Sequence, residues 1–225
     1  HGGQRRIMAG LDDLSTSVIE LAESGGIVAV PESPQQFYHN ARVYEMRGDY
    51  RSARRSYLDY FQFGIQFIDP HLRFQQFLKI QEGLVGARET YRWLADQSRG
   101  TIVKLALALL WERQLRVNKL RDFLKSFPDF GPGYYLLSQD YSAARVGSQT
   151  LLDKRNEREN LEKFEDLDGK GKVVRWFLDK GEVADWRSDA ESRLSVLGAT
   201  RYAIDQPVTI YWTGHNTGWT GTIQI

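Results

Sequence analysis

The stretch Phe37 to Tyr60, FYHNARVYEMRGDYRSARRSYLDY, constrains the fold more than any other part of the chain. Phe37, Ala41 and Tyr44, with Val43 beside them, recur at the steps that bring side chains onto one face of a helix. Gly48 interrupts the pattern and Asp49 follows where a helix cap belongs, after which Tyr50, Ala53, Tyr57 and Tyr60 resume it. The segment therefore predicts a helix, a tight break and a second helix packed back on the first. Just upstream, Ser33-Pro34-Gln35-Gln36 has the make-up of a helix start. The Ser33 hydroxyl can accept from the N3 amide, Pro34 suits N1, and Gln36 at N3 can reach back to the cap.

This unit resembles a tetratricopeptide (TPR) repeat, a helix-turn-helix of about 34 residues. With Gly48 placed on the family's turn glycine, Phe37 takes the first large aromatic position, Ala41 the small one and Tyr44 the next aromatic. Tyr50 then follows the turn, Ala53 is the small residue of the second helix and Tyr57 its later aromatic. Small residues let the two helices approach, and large aromatics fill the space between successive units. Asn40 departs from the pattern, standing where the family prefers leucine, and no proline follows on time because the second helix runs on to about Gly64.

Weaker copies follow. Asp69-Pro70 reads as a cap and an N1 proline, with Phe74, Phe77 and Leu78 in a first helix. Ala87, Tyr91 and Leu94 mark its partner, across a degenerate turn near Gly83. Thr101 opens a third pair, an apolar run Ile102 to Gln114 followed by Leu120, Phe123 and Leu124. Tyr134, Leu137, Ser138 and Tyr141 begin a fourth, paired with a charged helix from about Ser148 to Leu167. After a polar break, Lys172 to about Val196 predicts a last helix that covers the end of the row, packing through Val173, Trp176, Phe177, Val183, Trp186 and Leu194. Val208 to Thr213 and Trp219 to Ile225 alternate with period two, a β-hairpin signal. At the front, Asp12 to Gly25 predicts a short amphipathic helix and Ile27 to Val30 a short strand or buried connector. The chain starts at His1, so a native start upstream is expected.

The expected fold class is mainly α: an α-solenoid-like set of TPR-like helix-turn-helix repeats with a small C-terminal β-hairpin. The expected organisation is a lead-in over residues 1–32, repeats over 33–167, a capping helix over 168–198 and a hairpin tail over 199–225.

Several function classes lack support. With 30 basic and 29 acidic side chains the net charge is +1, which argues against a nucleic-acid partner and against an anionic membrane surface. There is no cysteine, hence no thiol nucleophile or thiolate metal site. The longest apolar run, Ile102 to Trp111, is about half of the ~18–20 residues a membrane span needs. Histidines 1, 39, 71 and 215 have no partner at metal-ligand spacing. No nucleophile elbow, phosphate loop or dinucleotide fingerprint occurs. Arg47-Gly48-Asp49 is an adhesion tripeptide by letter and a helix break by position. Asp166 to Gly171 has a lysine where a calcium loop needs an oxygen ligand. No metal and no cofactor are expected.

What the resemblance implies is a recognition module. In the TPR family the first helices of successive units line a concave surface that holds peptides. Carried over by position, that surface presents Tyr38, Arg42 and Glu45 from the first unit and Gln76 and Lys79 from the second. The third adds Lys104, and the fourth Tyr135 and Gln139. Arg42, Lys79 and Lys104 make it mildly basic, suited to an acidic protein or peptide segment. The competing expectation is that the chain's own last helix or hairpin fills this surface. Two further alternatives are a nucleic-acid grip by Arg51, Arg54 and Arg55, and a hydrolase or glycan-binding module using the tail aromatics Tyr211, Trp212 and Trp219. A cytoplasmic location is the expectation.

Overall fold

A computed structural model of the chain describes residues 26–64, 67–98, 100–142 and 150–204. The expected amphipathic helix before Gly26 and the expected hairpin after Val208 lie outside the described residues. Within them the protein is mainly helical, and no helix is long and apolar enough to cross a membrane.

The helices run in chain order as α1 (Pro34–Met46), α2 (Tyr50–Phe61), α3 (Ile68–Gln97), α4 (Thr101–Leu109), α5 (Arg113–Ser126), α6 (Gly131–Ser142), α7 (Leu151–Gly169) and α8 (Lys180–Ile204), with a 3-10 turn at Val174–Trp176 before α8. Each of the pairs α1/α2, α3/α4, α4/α5, α5/α6, α6/α7 and α7/α8 packs together, so near neighbours in sequence are neighbours in space.

Local chemistry sets the boundaries. Ser33 caps α1 through a full capping box, in which Gln36 N donates to Ser33 Oγ and the Gln36 side chain accepts from the Ser33 amide. Gly48 takes φ +74°, and the Asp49 carboxylate accepts from Ser52 N at 3.1 Å to start α2. Thr150 and Asp153 repeat the capping box at α7. The degenerate turn near Gly83 is a sharp one. At φ 73° and ψ 177°, Gly83 splits α3 into two helical halves, a conformation glycine adopts without a Cβ penalty. The apolar run from Ile102 does not stay helical to Gln114: α4 ends at Leu109, and Glu112 opens α5. The last helix also begins later than expected. Val174–Trp176 forms a tight turn between the buried side chains of Val173 and Phe177, and the regular helix starts at Lys180.

Two cores result. The first is aromatic: Tyr38, Tyr57, Tyr60, Phe61, Phe74, Phe77 and Tyr91 close around Ala41, Ala53 and Ala87, all buried. Tyr57 and Phe74 lie with ring centroids 4.9 Å apart, and Tyr38 meets Tyr57 edge-on at 6.0 Å. Each such ring removes roughly 150–250 Å² from water, and tilted pairs add to that gain. The small alanines are what let the rings close. The second core joins α4 to α8 and is largely aliphatic, through Leu105, Leu120, Leu124, Leu161 and Val183, with Phe130 and Phe164 at its centre.

Candidate interaction surface

The face expected to receive a partner is built by α1, the first half of α3, α4 and α6. Half of its expected residues are engaged within the protein. Tyr38 is 4% exposed, under the aromatic core, and burial with nearby Asp69 raises its hydroxyl pKa. Arg42 is half-buried beside it, its Nη1 lying 3.5 Å from Tyr38 Oη, and its Nε is buried with no hydrogen-bond partner among the described residues. Glu45 accepts from Tyr57 Oη at 2.7 Å and pairs with Arg73 at 3.2 Å. Tyr135, also 4% exposed, lies under α8.

At its α6 end this face is covered by the segment from Phe177 to Arg193. Trp186 stacks on Tyr135 with centroids 4.2 Å apart and an interplanar angle of 21°, and Tyr135 Oη donates to Asp189 Oδ2 at 2.8 Å. Burial, then Asp189, pushes the Tyr135 hydroxyl up to about 12. Phe177 meets the Trp186 ring edge-on at 4.9 Å, while Leu178 packs against the aromatic core. In the first turn of α8, Glu182 lies in the field of Arg42 and Arg73, although burial raises its pKa overall. Tyr135 thus faces this chain's own last helix, and the aromatic core that holds Tyr38 is packed by Leu178, because apolar surface is covered better by these side chains than by water.

Asp69 is the residue that sequence reasoning placed wrongly. It stands where a cap would stand, yet Phe67 precedes α3 without a side-chain cap, and Asp69 lies inside the first turn. Its two carboxylate oxygens accept from Leu178 N at 2.9 Å and Asp179 N at 2.8 Å, 109 and 110 residues away. Asp69 is 0% exposed, and burial pushes its carboxyl up to about 8 even though the two amides pull the other way. A buried carboxyl with a raised pKa beside a second one is a frequent mark of acid–base catalysis. Here both oxygens are occupied by backbone amides and no solvent reaches them, so Asp69 is an anchor. The one signal for it was negative: Asp69-Pro70 is followed by no residue able to complete a capping box.

Asn40 has a similar explanation. Its side-chain amide pairs with both backbone groups of Val28, accepting from Val28 N at 2.8 Å and donating to Val28 O at 2.9 Å. Beside it, His39 Nε2 lies 2.6 Å from Gly26 O. A leucine at this position could not bind the extended lead-in, so the departure from the repeat pattern carries a specific contact.

The other half of the expected surface is open. Gln76, Lys79, Lys104 and Gln139 are exposed, although Gln139 also hydrogen-bonds the Tyr135 hydroxyl. The Gln75 side chain donates to Ala106 O and ties the first half of α3 to α4, so Lys79 and Lys104 lie on neighbouring helices. Neither lysine has an ion pair among the described residues, and partial burial followed by Arg116 lowers the Lys79 pKa. Arg116 itself is neutralised by Asp140. Elsewhere the arginine face considered for nucleic acid is partly occupied, since Arg54 Nε donates to Glu82 at 2.8 Å and Arg55 has Asp59 at 3.9 Å. Among the described residues no group of three or more His, Asp or Glu side chains could hold a metal ion. No protein-family model matches the chain, and no curated protein matches it either.

Proposed function

We propose that the protein is a non-catalytic, TPR-like interaction module. On this reading it binds an acidic protein segment through the open part of the face, Gln76, Lys79, Lys104 and Gln139. The carrying observation is the pair of exposed lysines on adjacent helices with no acidic partner among the described residues. Unpaired ammonium groups beside amide side chains suit carboxylates, which they attract electrostatically and orient by hydrogen bonds. The packed neighbour-to-neighbour order of the helices, with small residues at Ala41, Ala53 and Ala87 where a TPR-like unit needs them, supports the architecture. The covered part has a structural role, with α8 closing the row.

The test is a fluorescence anisotropy titration with a labelled peptide rich in Asp and Glu. Lys79→Glu combined with Lys104→Glu is expected to weaken binding by about tenfold or more at low salt, with an unchanged circular dichroism spectrum. Equal binding by the double variant would overturn the assignment.

A further inference from the structure

On another face, a cleft of about 410 Å³ opens between α2 and the second half of α3. Leu58 forms part of its wall, and Arg54 is immobilised across it by Glu82 and by Thr90 Oγ1, at 2.8 and 3.1 Å. Glu89 and Trp93 line the other side, and Val85 precedes them on the same helical row, since the three are spaced by four residues. All three are exposed, Val85 to 67% and Trp93 to 51%. Glu89 has no ion pair among the described residues. Of the neighbouring cations, Arg54 is held by Glu82, while Arg88 and Arg92 lie over the Trp111 ring at 5.0 and 5.6 Å, and Arg88 also binds Leu110 O and Glu112.

An unpaired carboxylate one helical turn from a half-exposed indole is a grip for a cation on an aliphatic stem. The carboxylate attracts the charge, the indole adds a cation–π term, and Leu58 receives the methylenes. Val85 extends this into an apolar–acidic–aromatic row. We propose that this cleft docks a partner protein segment in which a Lys or Arg side chain stands next to an apolar residue. The argument rests on charge complementarity and on the exposed apolar row, and it is independent of the lysine face described above, which has the opposite sign.

The experiment uses the full chain with ¹⁵N-labelled tryptophan, the Trp93 indole signal being assigned through Trp93→Phe. Titration with the capped tripeptide Leu-Arg-Leu is expected to shift that signal saturably, and Leu-Gln-Leu to leave it in place. Glu89→Gln is expected to weaken the Leu-Arg-Leu interaction by about fivefold or more. Glu89 is exposed, and an unchanged circular dichroism spectrum confirms that the variant is folded. n-Butylguanidinium alone is expected to bind more weakly than the tripeptide. An unmoved Trp93 signal, equal shifts from the Gln tripeptide, or an unaffected Glu89→Gln variant overturns the proposal. So does n-butylguanidinium binding as tightly as the tripeptide, which would make the cleft a site for a small free cation.

Discussion

The two cores of this protein are stabilised in different ways. The aromatic core over α1 to α3 pairs some of its polar atoms locally and leaves others bare: Tyr57 donates to Glu45, and Tyr91 donates to the carbonyl of His71 at 2.9 Å while its oxygen lies 3.2 Å from His71 Nδ1, whereas Tyr60 Oη and His71 Nε2 are buried with no hydrogen-bond partner among the described residues. The core over α4 to α8 relies on charged pairs between helices, such as Arg193 with the fully buried Glu157 at 2.8 Å and Arg116 with Asp140. The first kind of core tolerates loss of a polar contact better than loss of a ring. The second fails when one member of an ion pair is left alone, since an unpaired charge inside a protein keeps its desolvation cost and loses its compensation.

This contrast can be broken at graded strength. Phe74→Ala, at a fully buried ring that touches Tyr57, Phe61, Phe77 and Tyr91, is expected to cost about 3–5 kcal/mol, read as a lowered urea midpoint. Glu157→Ala is expected to cost about 3 kcal/mol by leaving the largely buried Arg193 with only the more exposed Asp189, at 3.1 Å, whereas Glu157→Leu with Arg193→Leu is expected to recover most of that. If the double variant is as unstable as the single, the ion pair is not what distinguishes the second core.

Asp69→Ala is expected to cost about 2 kcal/mol by leaving two part-buried amides unsatisfied, and its cost should depend on pH. Because the folded-state pKa of Asp69 is raised from 3.8 to about 8, its contribution is present in full below about pH 4 and is lost as pH rises through about 8. The deficit of Asp69→Ala should therefore shrink between pH 4 and pH 8. His71, stacked on Phe61 at 4.3 Å, has the opposite sign. Burial lowers its pKa from 6.5 to about 3, so its contribution is present above pH 6.5 and is lost as pH falls through about 3. Urea midpoints of His71→Phe should accordingly be flatter than those of the native protein across that window. The smallest effect is expected from Arg54→Ala, about 0.5 kcal/mol, because its pair with Glu82 is exposed to water. A loss several times larger would mean that the bond to Thr90 holds α2 to α3.

The first core was far more legible than the second. Ser33, Gly48 and Asp49 act locally, through caps and a turn, so their roles follow from their immediate neighbours. The alanines and aromatics of α1 to α3 recur at helical steps, and periodicity alone places them inside. Asp69 and Asn40 were misread for the converse reason. Both look like local features, a cap and a misfit, but their partners are Leu178 and Val28, outside the helices that carry them. The surface was half legible. Helical position correctly exposed Lys79 and Lys104, but it carried no information that Trp186 would lie on Tyr135.

The bond between Asp69 and the amides of residues 178 and 179 also orders events in time. Most packing here joins sequence neighbours and can form as soon as each hairpin is made, whereas this contact closes a loop of 109 residues and carries the entropy cost of doing so. During synthesis the aromatic core stays incompletely covered until the start of α8 has emerged. In the finished protein the same tie joins the first turn of α3 to the segment that leads into α8, so detaching that segment leaves a buried carboxyl and two amides without partners. The clasp between the two regions is one carboxyl group with Leu178 packed beside it.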